Sequence, residues 1–126
     1  MLKILFLFSI VSAMSYLINH YNHREGLLAL LTVPGRYPVE VRDDSMSEAG
    51  IYRGDTVVVQ RQEYACNGDI VVVQVDDERI MIKRIRFPGR NRIQLRSEHT
   101  DVPDLLLEKS RVSIQGKVIG QIRQYL

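Results

Sequence analysis

Ser45 and Lys83 are the two residues of this chain whose types and placement suit covalent chemistry. Ser45 stands in Asp43-Asp44-Ser45-Met46, between an alternating stretch and the run Gly50-Ile51-Tyr52-Arg53-Gly54-Asp55. That places it on a glycine-bounded loop, where most serines only serve a turn. Lys83 lies within residues 79–87, which read as a strand. Alternation puts Met81, Lys83, Ile85 and Phe87 on one face and Ile80, Ile82, Arg84 and Arg86 on the other. Lys83 is the single charge on its face. A lysine buried there loses hydration, which disfavours the ammonium and leaves an amine able to act as a base near neutral pH. The plainer alternative is a lysine whose stem lies along the apolar face while its head reaches water.

A neutral lysine beside a serine is a catalytic dyad. The amine takes the hydroxyl proton and the serine oxygen attacks a carbonyl. The backbone N–H groups of Ser45 and Met46 are the expected oxyanion donors. Ser45 and Lys83 are expected within hydrogen-bond reach, about 2.6–3.2 Å. The other reactive types offer less. Cys66 beside Asn67-Gly68 reads as a turn residue and, being the sole cysteine, makes no internal disulfide. No His/Cys cluster has metal spacing, so neither a metal nor a cofactor is expected.

The elements that must position the pair read as β. Residues 37–42 alternate, and 56–60 and 70–75 are valine-rich runs that suggest strands buried on both faces. Residues 79–87, 92–96 and 111–123 complete six or so strands, with turns at Asp76-Asp77 and Pro88-Gly89-Arg90-Asn91. Residues 104–109 hint at a helical turn. The expected fold is mostly β, a compact domain over residues 37–126, barrel or sandwich in density. At 126 residues and 14.5 kDa the chain has room for one core. With 45% hydrophobic and 25% charged residues it is neither disordered nor of low complexity, and a net charge of +2 does not mark a nucleic-acid binder.

Residues 1–36 differ in character. Residues 4–18 form an uncharged run of 15, short of the roughly 20 that span a bilayer. Lys3, the apolar stretch and Ala13-Met14-Ser15 also resemble an export signal. Ser9, Ser12 and Ser15 would form one polar stripe if the segment is helical, which suits a helix packed on a partner or on the domain.

Five blocks in order carry a family resemblance. They are Ser45-Met46; Gly50-Ile51 with Gly54-Asp55; Asn67-Gly68-Asp69-Ile70-Val71-Val72; Ile82-Lys83-Arg84-Ile85; and Ile114, Gly116, Val118 and Gly120 at alternate positions. Over residues 37–124 the chain resembles the LexA/UmuD peptidases, the S24 serine–lysine family. The resemblance implies that Ser45 is the nucleophile and Lys83 the general base, on a mostly β domain that dimerises through its C-terminal region. It also implies self-cleavage stimulated by a RecA filament on single-stranded DNA. The 36 residues before the β domain are too few and too apolar for a helix-turn-helix. The implied branch is therefore UmuD-like: a cytoplasmic homodimer of the SOS response that joins an error-prone translesion DNA polymerase. The chain departs from the family in two places. Family members usually cut between Ala or Cys and Gly, whereas the glycines before Ser45 are Gly26 after Glu25 and Gly35 after Pro34. Asp43 stands where the family commonly has glycine.

The competing resemblance is to signal peptidase, a membrane-anchored serine–lysine family, through the apolar N-terminus and residues 83–89. Its Gly-Asp-Asn block is replaced here by Ser97-Glu98-His99-Thr100-Asp101. A third reading is a binding module. Residues 79–96 carry Arg79, Lys83, Arg84, Arg86, Arg90, Arg92 and Arg96 and no acid. Such a hairpin suits DNA, acidic lipid or a protein partner, or is simply solvated.

Overall fold

The computed structural model describes residues 31–125. The expected N-terminal helix or membrane segment over residues 1–18 lies outside them. Among the described residues, no helix is long and apolar enough to cross a membrane. The chain divides into two units, Met1–Pro34 and Gly35–Leu126, and the second carries all the strands described below.

Seven strands build it: β1 (Arg36–Glu40), β2 (Thr56–Arg61), β3 (Ile70–Val75), β4 (Arg79–Gly89), β5 (Arg92–Arg96), β6 (Leu105–Glu108) and β7 (Val112–Ile122). They form one antiparallel sheet in the order β1-β2-β7-β3-β4-β5-β6. The mostly β fold expected from the sequence is the fold observed. β7 runs between β2 and β3, so the last strand ties the two halves together.

The valine runs explain why the sheet is covered on both faces. On β3, Val72 belongs to one core with Val41, Met46, Ile51, Val57 and Val59, onto which Ile82 packs. Its neighbours Val71, Val73 and Val75 belong to the other, with Ile85, Ile93 and Leu95. Adjacent residues of one strand point to opposite faces, so a continuous apolar run has a use only where both faces are buried. Each such side chain is worth about 1.5–3 kcal/mol on burial. Gly116 marks the tightest approach. A Cβ there would meet the Gln60 carbonyl oxygen and Val59 Cγ1 at 2.5 Å. Bulges in β7 flank it, shifting the register against β2 between Val58 and Val59 and against β3 between Val72 and Val73.

One expectation is corrected. Of residues 104–109, expected as a helical turn, Leu105–Glu108 form β6 instead, and a short 3-10 turn begins only at Lys109, running to Arg111. The reason is pairing with β5. Leu105 and Leu107 lie opposite Leu95 and Ile93 and pack on the second core, while Leu106 between them is exposed. Three adjacent leucines show no period of their own, and the neighbouring strand imposes one.

Candidate active site

The loop after β1 carries Ser45, and hydrogen bonds brace it at several points. Val41 N–H donates to the Asp55 carbonyl at 2.8 Å, and Gly54 N–H donates back to the Val41 carbonyl at 2.9 Å. Arg53 N–H donates to the Asp44 carboxylate at 3.1 Å. Met46 is fully buried in the first core and anchors the residue next to Ser45. A 3-10 turn, Ser47–Ala49, then ends at Gly50, whose φ of 86° reverses the chain in a conformation that favours glycine. Beneath the loop, the buried Asp55 accepts from Arg123 Nε at 2.7 Å and from the Tyr52 N–H at 2.9 Å. Arg123 also donates to the Gly50 carbonyl at 2.8 Å, so the residue just after β7 holds both sides of the turn.

Lys83 sits midway along β4, and its side chain takes the face expected from alternation. Met81, Ile85 and Phe87 pack on the second core, and Lys83 is only 7% exposed. Its ammonium donates to Ser97 Oγ at 2.7 Å. Burial pulls the Lys83 ammonium below its ordinary value of 10.5; Asp43 and Asp104 oppose that shift and Arg79 adds to it, with a net fall.

Among the described residues the buried polar side chains are Ser45, Asp55, Lys83 and Ser97. Ser45 and Lys83 line one cleft of about 620 Å³ with Asp43, Arg53, Arg79 and His99. A narrower pocket of about 140 Å³ adjoins it, between Val39, Val41 and Met46 on one side and Ile80 and Ile82 on the other. The two share Asp43, Ile80 and Met81. Here β4 pairs with β3 along Arg79–Arg84 but with β5 only from Arg84 onward. Among the described residues, the second edge of β4 therefore has no strand partner beside the cleft.

The structure thus brings Ser45 and Lys83 to one cleft, but the direct hydrogen bond expected between them is not formed among the described residues. The lysine is held by Ser97, and Ser45 is held by Asp43, whose carboxylate accepts the Ser45 N–H at 2.9 Å. Burial works to raise the Asp43 carboxyl, but bonds from the Ser45 N–H and hydroxyl and the charges of Lys83 and Arg53 outweigh it, and the net shift is downward. One expected oxyanion donor, the Ser45 N–H, is thus engaged by a carboxylate at rest, while Met46 follows on the same loop. Catalytic hydrogen bonds are commonly loose before substrate binds.

Ser97 was not singled out by the sequence. Alternation beyond Ile93 and Leu95 on β5 does point it to the same face, and that is the signal that finds it. Of the other candidates, only Arg79 of the basic hairpin reaches the cleft. Cys66 is exposed on its turn, where its N–H donates to Asp69. The basic hairpin is interleaved with acids from elsewhere: Arg84 pairs with Glu98 at 3.7 Å, and Glu108 of β6 lies opposite Arg92. Among the described residues, no group of three or more His, Cys, Asp or Glu side chains is placed to hold a metal ion.

An antiparallel β domain with a loop serine and a buried strand lysine on one cleft is a peptidase-type scaffold. Residues 13–119 match the Peptidase S24-like family, and the chain belongs to it.

Proposed function

We propose that this chain is a UmuD-like serine peptidase in which Ser45 is the nucleophile and Lys83 the general base. The observation that carries the reading is Lys83 itself: a buried ammonium, depressed by burial, on the same cleft as a loop serine. In the proposed step, neutral Lys83 Nζ takes the Ser45 hydroxyl proton as Ser45 Oγ bonds to the substrate carbonyl carbon. The backbone N–H groups of Ser45 and Met46 take the developing oxyanion, the Ser45 N–H turning from Asp43 to do so. The Lys83 ammonium then protonates the leaving amine as the C–N bond breaks, and water hydrolyses the acyl-serine.

The edge of β4 that has no strand partner among the described residues runs along the adjoining pocket and fits an extended peptide, added as a strand. No Ala-Gly or Cys-Gly bond precedes Ser45, so the substrate is either another chain or a bond at Glu25-Gly26 or Pro34-Gly35. In this reading the chain acts in the cytoplasm as a homodimer in the SOS response. A RecA filament stimulates its cleavage, and a translesion polymerase is its partner. The uncharged run over residues 4–18 favours a second reading, a membrane-anchored, signal-peptidase-like protease. Cell fractionation with the N-terminus mapped by mass spectrometry separates the two.

The peptidase reading is tested by incubating the chain at micromolar concentration, alone and with unfolded β-casein, each with and without a RecA filament on single-stranded DNA, and mapping new termini. Cleavage by the native chain that is lost in Ser45→Ala and Lys83→Ala is expected. Cleavage that persists in either variant, or none by the native chain, overturns it.

A further inference from the structure

Lys83 and Ser45 are held by one short segment, Ser97-Glu98, immediately after β5. Ser97 Oγ accepts the Lys83 ammonium at 2.7 Å, and both residues are 7% exposed. The next residue, Glu98, donates its N–H to the Ser45 carbonyl at 2.8 Å and accepts from the Glu48 N–H at 2.8 Å. A bulge makes this possible. Arg84 lies opposite Arg96 and Ile85 opposite Leu95, so the same register carried one step further sets Lys83 opposite Ser97. At the hairpin end Gly89 lies opposite Arg92, and the register shifts between Arg86 and Gly89. Without that shift Lys83 would face Glu98, a carboxylate that would hold the lysine charged. With it, Lys83 faces a hydroxyl, and Glu98 turns to Arg84.

We propose that Ser97 is a positioning residue for Lys83, accepting one Nζ–H so that the lone pair of the neutral amine faces the Ser45 hydroxyl. This rests on the dyad proposed above. A neutral amine has two N–H donors and one lone pair on a freely turning bond; binding one donor removes that freedom. Ser97 keeps its own proton and takes no part in the transfer. The charged and titratable groups around Lys83 are Asp43 and Asp44 on the serine loop, Arg79 on β4, Asp104 before β6, and Arg53 and His99 on the cleft wall. Ser97 supplies a neutral contact among them.

The test has two readouts. The first is the pH titration of the Lys83 side-chain nitrogen by ¹⁵N NMR, one of four lysines with Lys3, Lys109 and Lys117. Ser97→Ala removes an acceptor from the ammonium and moves the titration to lower pH; Ser97→Asp moves it to higher pH. The second is cleavage of a casein-derived peptide. Ser97→Ala lowers kcat about 10- to 100-fold with KM unchanged, and Ser97→Thr, which restores the hydroxyl, recovers most of the rate. Should Ser97→Ala fail to fold by circular dichroism, Ser97→Asp and Ser97→Thr carry both readouts. A Lys83 titration unmoved by Ser97→Asp overturns the proposal, as does full kcat in Ser97→Ala. If Lys83→Ala is silent in that case, the dyad stands without Ser97. Cleavage by Lys83→Ala overturns the dyad itself.

Discussion

Asp55 lies under the loop that carries Ser45, and Lys83 lies in the cleft. Both are ionisable and buried, at 1% and 7% exposure. Asp55 meets a full set of opposite partners. Arg123 gives it Nε and a terminal nitrogen at 2.7 and 2.8 Å, and the Tyr52 N–H adds a third bond. The Arg123 bonds hold the Asp55 carboxyl below its ordinary value even though burial raises it. The same bonds push the Arg123 guanidinium up, and Arg123 also stacks over the Tyr52 ring at 4.6 Å. Lys83 meets a hydroxyl, and burial takes its ammonium down. Desolvation disfavours the charged form of either group, so the partner decides whether a buried charge serves stability or reactivity. Asp55 is fastened as an ion; Lys83 has a neutral partner and a depressed ammonium.

The largest expected effect separates the two roles. Lys83→Met should lower peptide cleavage at least about 1,000-fold, the scale of a lost general base. Its stability to urea should be unchanged or slightly raised, because a buried ammonium is replaced by an apolar chain of similar length. Equal losses of stability in Lys83→Met and Asp55→Ala would erase the contrast.

Asp55→Ala should act the other way. It removes the acceptor of Arg123 and of the Tyr52 N–H, and should cost about 2 kcal/mol of unfolding free energy. In the protein that remains folded, the pH dependence of cleavage should keep its shape, since Lys83 and Ser97 are untouched. A cleavage limb displaced in Asp55→Ala would mean that the two regions are coupled.

The smallest effect is the acid dependence of stability. The folded Asp55 carboxyl lies below its ordinary value of 3.8, so the unfolded chain binds the proton more readily. The Asp55 contribution is therefore complete above 3.8 and lost as pH falls below it. Thermal unfolding followed from pH 6 downward should show that loss in the native chain and a shallower one in Asp55→Asn. Identical slopes would remove Asp55 as the fastened ion of the pair.

The two regions also differ in how far the sequence reveals them. Lys83 is legible because strand periodicity is local: Met81, Ile85 and Phe87 declare its face without reference to any other strand. The valine runs are legible for the same reason. Asp55 and Arg123 are not, because they meet across 68 residues only after β7 has crossed between β2 and β3. β6 is obscured because its leucines alternate only against β5. Ser97 is not legible either: Pro88 marks an irregularity between Arg86 and Gly89, but not that the bulge there sets Ser97 opposite Lys83. The grip of Asp43 on the Ser45 N–H was equally invisible, since Asp43-Asp44 reads as loop either way.

If buried Lys83 takes the proton of Ser45, the pH–rate profile for a casein-derived peptide must carry its titration. The native chain should show kcat/KM rising with pH through one limb centred below 10.5, because the neutral amine is the active form and burial lowers its titration. Lys83→Met, folded and at least as stable, should show neither the limb nor the rate. The same limb in Lys83→Met would assign the proton transfer to another group.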